Sequence, residues 1–442
     1  MKNQLLAKFF RYSLPSMLGM LGMSCYILAD TFFISRGMGT NGVAALNLAM
    51  PSYNLVHGTG LLLGIGGATR FSVLKSRGDH RGADSVFTNV CMLGVLFSAM
   101  FVVVGALFSR QLAQLLGAEG EVLEMADVYL RVMLLFGPAF VFNDILVCFV
   151  RSDGSPKLSM AAVLTGSLSN VLLDYLFIFP CGWGMFGAIL ATGLAPCIGI
   201  CISSLHFIRR KNRFRLIAVR PNARHMRTCL ALGLSSLVEQ ISAAAVVIVF
   251  NYIILGLEGN TGVAAYGVVA NISLVVIALF TGLAQGVQPL WSRAHGEGDE
   301  KAAHSLLVWA AVFALCLSAV VYAAVALLAS PVTGIFNSEN NALLHAIAVP
   351  GLRLYFIAAP FAGLNIVLCS YFAASERALP SQILSLLRGL ILLIPAAFGF
   401  SALWGITGVW LSFPAAEFFT AAAGAACLVL LGKKAARQNE GI

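Results

Sequence analysis

The chain has 442 residues, 59% of them hydrophobic and 11% charged, with a formal net charge of +9. Soluble domains carry roughly 25% charged residues. No soluble core could hide this much apolar surface, so the composition excludes a soluble domain and implies a polytopic membrane protein. The positive balance does not point to nucleic acid, because the basic residues lie in loops between apolar runs.

Apolar runs of about 20 residues or more predict twelve membrane helices. Their spans are 9–35, 43–68, 86–109, 124–150, 157–180, 183–208, 228–256, 261–291, 302–329, 343–374, 380–402 and 404–432. The N-terminus, MKNQLLAKFFRYSLPSMLGML, starts basic and turns apolar. It has no Ala-x-Ala cleavage site, so it reads as a retained first helix and not a signal peptide. On that helix Met23, Tyr26 and Asp30 share a face, being three and four apart.

Loop charge sets the expected orientation. Basic loops carry Arg70, Lys75, Arg77 and Arg81, then Arg151 and Lys157, then the run of arginines and Lys211 from Arg209 to Arg227. Arg293 and Lys301, Arg377, and finally Lys433, Lys434 and Arg437 follow. Alternate loops are acidic or nearly uncharged, with Glu119, Glu121, Glu124 and Asp127, then Glu258, then Glu339. The alternation predicts both termini in the cytoplasm and a multi-pass protein of the cytoplasmic (inner) membrane.

In the fourth span Tyr129, Phe136, Phe140 and Asn143 share a face. In the fifth, SNVLLDYLFIF, Asn170 and Asp174 stand four apart with Ser167 one turn earlier, a polar stripe on an apolar rod. An ionised Asp near the middle of a membrane helix costs roughly 2.5–3.5 kcal/mol, a cost usually tied to an ion, a proton or a substrate. In the sixth span Gly184, Ala188 and Thr192 form a small-residue stripe that admits a neighbouring helix and brings a hydroxyl to the contact. The ten cysteines are scattered and read as packing residues.

The chain is duplicated. GTNGVAAL at 39–46 returns as GNTGVAAY at 259–266. Arg131, Pro138 and Asn143 return as Arg353, Pro360 and Asn365, and Trp183, Gly184 and Gly187 as Trp404, Gly405 and Gly408. The expected fold is all-α, with two pseudo-symmetric six-helix bundles: an N-terminal lobe (1–208), a basic cytoplasmic linker (209–227) and a C-terminal lobe (228–442). Six helices per half give both halves the same orientation, the architecture of a two-lobed transporter.

Five acids fall inside spans: Asp30, Asp144, Asp174, Glu239 and Glu417. The repeat maps Asp30 onto Phe250, Asp174 onto the Pro395–Ala396 pair, and Asn170 onto Ile391–Leu392. Packing needs are similar in the two halves, so acids present in one half alone point to function. Asp144 reads as close enough to its helix end to reach water, Glu417 as isolated, and His57 as a lone polar residue near a cavity. Arg388 is expected either to snorkel to the surface or to face the space between the lobes.

The chain resembles the multidrug and toxic compound extrusion (MATE) transporters over essentially its whole length. The carrying stretches are LPSMLGMLGMSCYILADTFFISRGMGTNGVAAL and SNVLLDYLFIFPCGWGMFGAILAT. In the second, Asn-x-x-x-Asp precedes Gly-x-x-Gly-Ala-x-x-Ala-Thr. The resemblance implies efflux of amphiphilic, often cationic drugs, driven by inward flow of H⁺ or Na⁺, with no cofactor. It implies a cation site at Asp30, Asn170, Asp174 and Thr192, with the Ala188 carbonyl, and a polar lining from Tyr26, Tyr129 and Asn143. Relatives often carry an acid on the tenth helix, where Asn365 is the nearest polar residue here. Glu239 matches the family's acid on the seventh helix.

Oxygen ligands of this kind suit a hard cation. In an apolar lobe, desolvation and mutual repulsion also disfavour two ionised carboxylates side by side. A lipid or lipid-linked oligosaccharide flippase is the alternative, and it calls for a cationic cavity. No catalytic motif and no phosphate loop appears, so neither an enzyme nor direct ATP drive is expected. The chain is expected to work as a monomer embedded in lipid.

Overall fold

In the computed structural model the described residues are 2–336 and 341–440. Glu339 lies outside them, as do the side chains of Lys433, Lys434 and Arg437. Every regular element among the described residues is helical. Among the described residues eight helices are long and apolar enough to cross a membrane, and one bent pair makes a ninth span. Three of the eight are broken by a glycine: Lys2–Ser76 at Gly39, Ala223–Glu297 at Gly259 and Leu393–Glu440 at Gly405. The breaks turn nine spans into twelve.

The first six helices are α1 (2–38), α2 (40–76), α3 (His80–Leu115), α4 (Gly120–Leu135 and Gly137–Ser152), α5 (Pro156–Ile178) and α6 (Gly184–Ile208). The second six are α7 (223–258), α8 (260–297), α9 (Glu300–Phe336), α10 (342–374), α11 (378–404) and α12 (406–440). Helix α4 bends by 49° between its two pieces. A 3₁₀ turn, Phe356–Ala358, interrupts α10, and a π-helical turn, Leu387–Ile391, interrupts α11.

The sequence repeat is also a backbone repeat. Gly39 has φ 63 and ψ −152, and Gly259 has φ 63 and ψ −156. This region is open essentially to glycine alone, so the repeated GxxGVAA motif is a chain reversal written twice. Gly78 and Gly298 both have positive φ, as do Gly184 and Gly405. The break in α4 at Phe136 matches the 3₁₀ turn in α10, each followed by a proline at the start of the next helix. One mate departs from glycine: Gly154 (φ 93) returns as Glu376 (φ 56).

Two hydrophobic clusters form. One draws on residues from Ile34 to Cys229, the other on Phe250 to Ala416 together with Phe9 and Met17 of α1. Large apolar side chains such as Leu96, Leu107, Leu168, Leu172, Leu327 and Leu403 remain exposed, as lipid-facing residues do in a membrane protein.

The halves meet along a seam at the end of the molecule that carries the start of α1. Arg70 of α2 binds Glu376, which follows α10, and Arg77 stands 3.7 Å from the same carboxylate. Arg151 donates to Gln285 at 3.0 Å, and Gln288 to Thr69 at 2.9 Å. Glycines bring backbones together here. A Cβ on Gly66 would stand 2.0 Å from the Cys229 carbonyl oxygen, and one on Gly233 1.9 Å from that of Leu62. Among the described residues, every hydrogen bond and ion pair between the two halves falls at this end.

The segment expected to be a simple linker is pinned to the first half. Phe214 is fully buried among Phe71, Phe87, Phe149 and Phe207. Alternate backbone N–H groups are taken by side chains of that half: Arg213 donates to Asp153 (2.6 Å), Arg215 to Asp84 (3.1 Å) and Ile217 to Thr88 (3.1 Å). Asn222 donates to Asn89 at 2.7 Å and caps α7 with its own side chain.

Candidate functional site

Helix α5 is inside out relative to a soluble helix. Its buried face carries Ser159, Gly166, Ser167, Asn170 and Asp174, and its exposed face Leu168, Leu172, Tyr175 and Leu176. Lipid takes the apolar face, so the polar face turns to the interior. Asn170 and Asp174 are both fully buried, and Asp30 of α1 and Thr192 of α6 are nearly so.

The structure brings together most of the residues singled out in the N-terminal half. The carboxyls of Asp30 and Asp174 lie within hydrogen-bonding reach of each other. The Asn170 amide stands 3.3 Å from Thr192 Oγ1, which donates to the Ala188 carbonyl at 3.1 Å. With its amide turned to satisfy its surroundings, Asn170 donates to Asp174 Oδ2 at 3.0 Å and accepts from Thr192 N at 3.2 Å. Tyr129 of α4 reaches Thr192. Asp30 Oδ1 and Asp174 Oδ1 are buried with no hydrogen-bond partner. No Lys or Arg is paired with either carboxylate among the described residues.

Tyr26 lies one turn before Asp30, and its hydroxyl is 2.7 Å from that of Tyr53 on α2. Tyr53 stacks on His57, whose Nδ1 is 2.8 Å from Asp144 Oδ2. Two expectations are corrected here. Asp144 does not reach water, and His57 is not alone: both are buried and face each other. Glycines of α2 admit this contact: a Cβ on Gly60 would stand 2.4 Å from Asp144 Oδ2 and one on Gly64 2.8 Å from the Asp144 carbonyl oxygen. Asn143 sits against Gly199 of α6 with its Oδ1 unpartnered, and is not joined to the Asp30–Asp174 pair by any hydrogen bond among the described residues.

The C-terminal half holds a cluster that was not foreseen as one. Arg388 of α11 is buried and donates to Glu417 Oε1 of α12 from Nε (3.1 Å) and Nη2 (2.9 Å). Its Nη1 donates to Glu239 Oε1 of α7 at 3.4 Å. Asn365 of α10 donates to the Glu417 carboxylate at 2.6 Å and to the Glu417 carbonyl at 2.8 Å. Glu417 is therefore not isolated, and Arg388 neither snorkels nor lies free between the halves. The available signal was two acids and one base of opposite sign in spans of the same half. The ten cysteines are all free.

A cavity of about 1360 Å³ lies at neither cluster. It opens at the seam end and is lined by Lys8, Arg11, Lys157, Arg209, Arg213 and Arg293 among others.

The MatE family model matches residues 15–176 and 235–398. The chain is 26% identical over 438 residues to the multidrug export protein MepA of Staphylococcus saprophyticus, covering 97% of this chain and 95% of that one. It is equally 26% identical over 436 residues to MepA of Staphylococcus aureus strain NCTC 8325, with the same coverage of 97% and 95%. Among solved structures it is similar to a MATE protein in complex with MaL6, with TM-score 0.91, 24% identity, and 96% and 97% of the two chains covered. It is also similar to an outward-facing multidrug resistance MATE transporter of the MOP superfamily, with TM-score 0.90, 25% identity, and 96% of each chain covered.

Proposed function

The chain belongs to the MatE family, and from that premise we propose that it is a secondary active exporter of amphiphilic and cationic drugs, exchanging them for H⁺ or Na⁺. The observation that carries this reading is the buried Asp30–Asp174 pair. Each carboxylate has one oxygen without a partner, and neither has a basic neighbour among the described residues. Two ionised carboxylates in contact inside an apolar lobe repel and lack solvation. A cation from outside relieves both penalties.

In the proposed cycle Asp30, Asp174, the Asn170 amide and the Thr192 hydroxyl hold the cation. The Ala188 carbonyl already accepts the Thr192 proton and so fixes that hydroxyl in place. Tyr129 supports the site through Thr192, and Tyr26 and Asn143 line the same lobe. When the pair is neutralised, the lobe repacks and the drug loses its surface and leaves outward. The membrane potential adds about 2.3 kcal/mol per charge per 100 mV to inward cation flow. Both termini are cytoplasmic in this reading, which makes the closed seam the cytoplasmic gate and the observed state outward-open. The likeness to an outward-facing transporter supports that orientation. The protein works as a monomer in the inner membrane, and neither ATP nor a cofactor takes part.

A flippase calls for a cationic central cavity, whereas the basic cavity here opens at the seam end and the intramembrane Arg388 turns its charge onto Glu417. Dye efflux from right-side-out vesicles, with ΔpH and ΔNa⁺ imposed separately, tests the proposal. Efflux that follows one gradient identifies the ion, and efflux indifferent to both defeats ion coupling.

A further inference from the structure

Seen through the repeat, the C-terminal cluster draws on the same four helices as the Asp30–Asp174 site. Helices α7, α10, α11 and α12 are the mates of α1, α4, α5 and α6, and Asn365 is the mate of Asn143. What differs is the cation. Arg388 presents three donors to two carboxylates, and guanidinium stays charged under all ordinary conditions. Its backbone lies in the π-helical turn Leu387–Ile391, a distortion that recurs at functional positions. The next residue, Gly389, lets this turn press onto α7: a Cβ there would stand 2.4 Å from Ser242 Oγ. Glu417 is closed off on both oxygens, Oε1 by Arg388 and Oε2 by Asn365.

We propose that Arg388 is a resident cation occupying the place that an exchangeable ion would take in the C-terminal lobe, so that ion coupling is confined to the N-terminal lobe. A fixed guanidinium satisfies Glu417 in every state of the cycle, and no ion from either compartment is needed or admitted. Arg388 is thereby a specificity-determining residue: it sets the number of coupling ions. The inference rests on the N-lobe reading above for where the exchangeable ion binds, but its test is independent of drug transport.

The test counts ²²Na⁺ bound to purified, detergent-solubilised protein at pH 8, with Asp174→Asn present to silence the N-terminal lobe. The Asp174→Asn protein is expected to bind no Na⁺. Adding Arg388→Met should create one site per chain, adding Arg388→Lys should not, and adding Glu417→Gln to the Arg388→Met protein should remove the new site. A monodisperse Arg388→Met protein that gains no site overturns the proposal. So does an Asp174→Asn protein that already binds a Na⁺ which Glu417→Gln abolishes. If Arg388→Met does not fold, Glu417→Gln in the otherwise native chain decides. An unchanged ion count supports a resident cation, and the loss of one ion refutes it. A failure of the N-lobe reading looks different, because wild-type and Asp174→Asn proteins would then show the same ion dependence whatever stands at 388.

Discussion

Asp30 and Asp174 are buried together in the first lobe, Glu417 is buried and Glu239 half-buried in the second, and the two pairs live under opposite electrostatic rules. Asp30 and Asp174 face each other with no base beside them, whereas Glu239 and Glu417 flank Arg388. The clusters also differ in depth. By the repeat offset Arg388 stands opposite Gly166, two turns before Asp174 on α5, or about 12 Å at 1.5 Å per residue. The scaffold is duplicated and the chemistry is not. A duplicated bundle can dedicate one copy to ion exchange and leave the other charge-compensated.

The sharpest way to break this contrast is Asp174→Asn. It is expected to bring gradient-driven drug efflux down to the empty-vesicle baseline while the protein remains in the membrane, read by dye efflux and by surface quantification. Full efflux by that variant would sink the N-lobe assignment. The next test compares stability. Glu417→Gln leaves the buried Arg388 with Glu239 alone, at 3.4 Å, as its counter-charge and should cost up to about 3–5 kcal/mol, visible as a drop in detergent melting temperature. Asp174→Asn removes repulsion between like groups, so its melting temperature should hold or rise. Equal destabilisation by both would erase the distinction between the lobes.

A finer test uses the repeat mates. Asn365→Ala removes a donor from the buried Glu417 carboxylate and should cost about 1–3 kcal/mol. Asn143→Ala removes an amide whose oxygen has no partner, and should cost less than about 1 kcal/mol. The smallest expected effect is at the seam. Glu376→Asn keeps a side chain that tolerates the left-handed turn and removes the ion pair with Arg70. Loss of a pair worth about 1 kcal/mol or less should raise the fraction of protein open at the seam by no more than about fivefold, measured by crosslinking cysteines placed across it.

Much of the fold was legible in the sequence because lipid enforces it. Span length, loop charge and the 220-residue echo all follow from crossing a bilayer twelve times with two copies of one plan. The Asn170–Asp174 stripe was legible for the same reason, since polar groups on an apolar rod have nowhere to face but inward. The pairings across helices were not. Glu417 read as isolated and Asp144 as solvated because each partner, Arg388 and His57, lies far off in sequence. Hydrophobic periodicity encodes neither those long-range pairings nor the π-helical turn of α11 and the bend of α4 beside them. The Asp30–Asp174 contact is equally long-range, and it was anticipated only through resemblance.

The strand-like segment from Arg213 to Asn222 has a mechanical consequence. Its backbone is tied to Asp84, Thr88, Asn89 and Asp153, so it travels with the first bundle as cargo. The joint between the two bodies then narrows to the start of α7, at the Asn222 cap, beside the Gly66–Cys229 contact. A short articulation transmits torque where a slack tether cannot. Lengthening the chain at residues 215–217 would lift the segment off its dock without freeing the bundles, whereas inserting glycines between Asn222 and Arg224 would put play into the pivot itself.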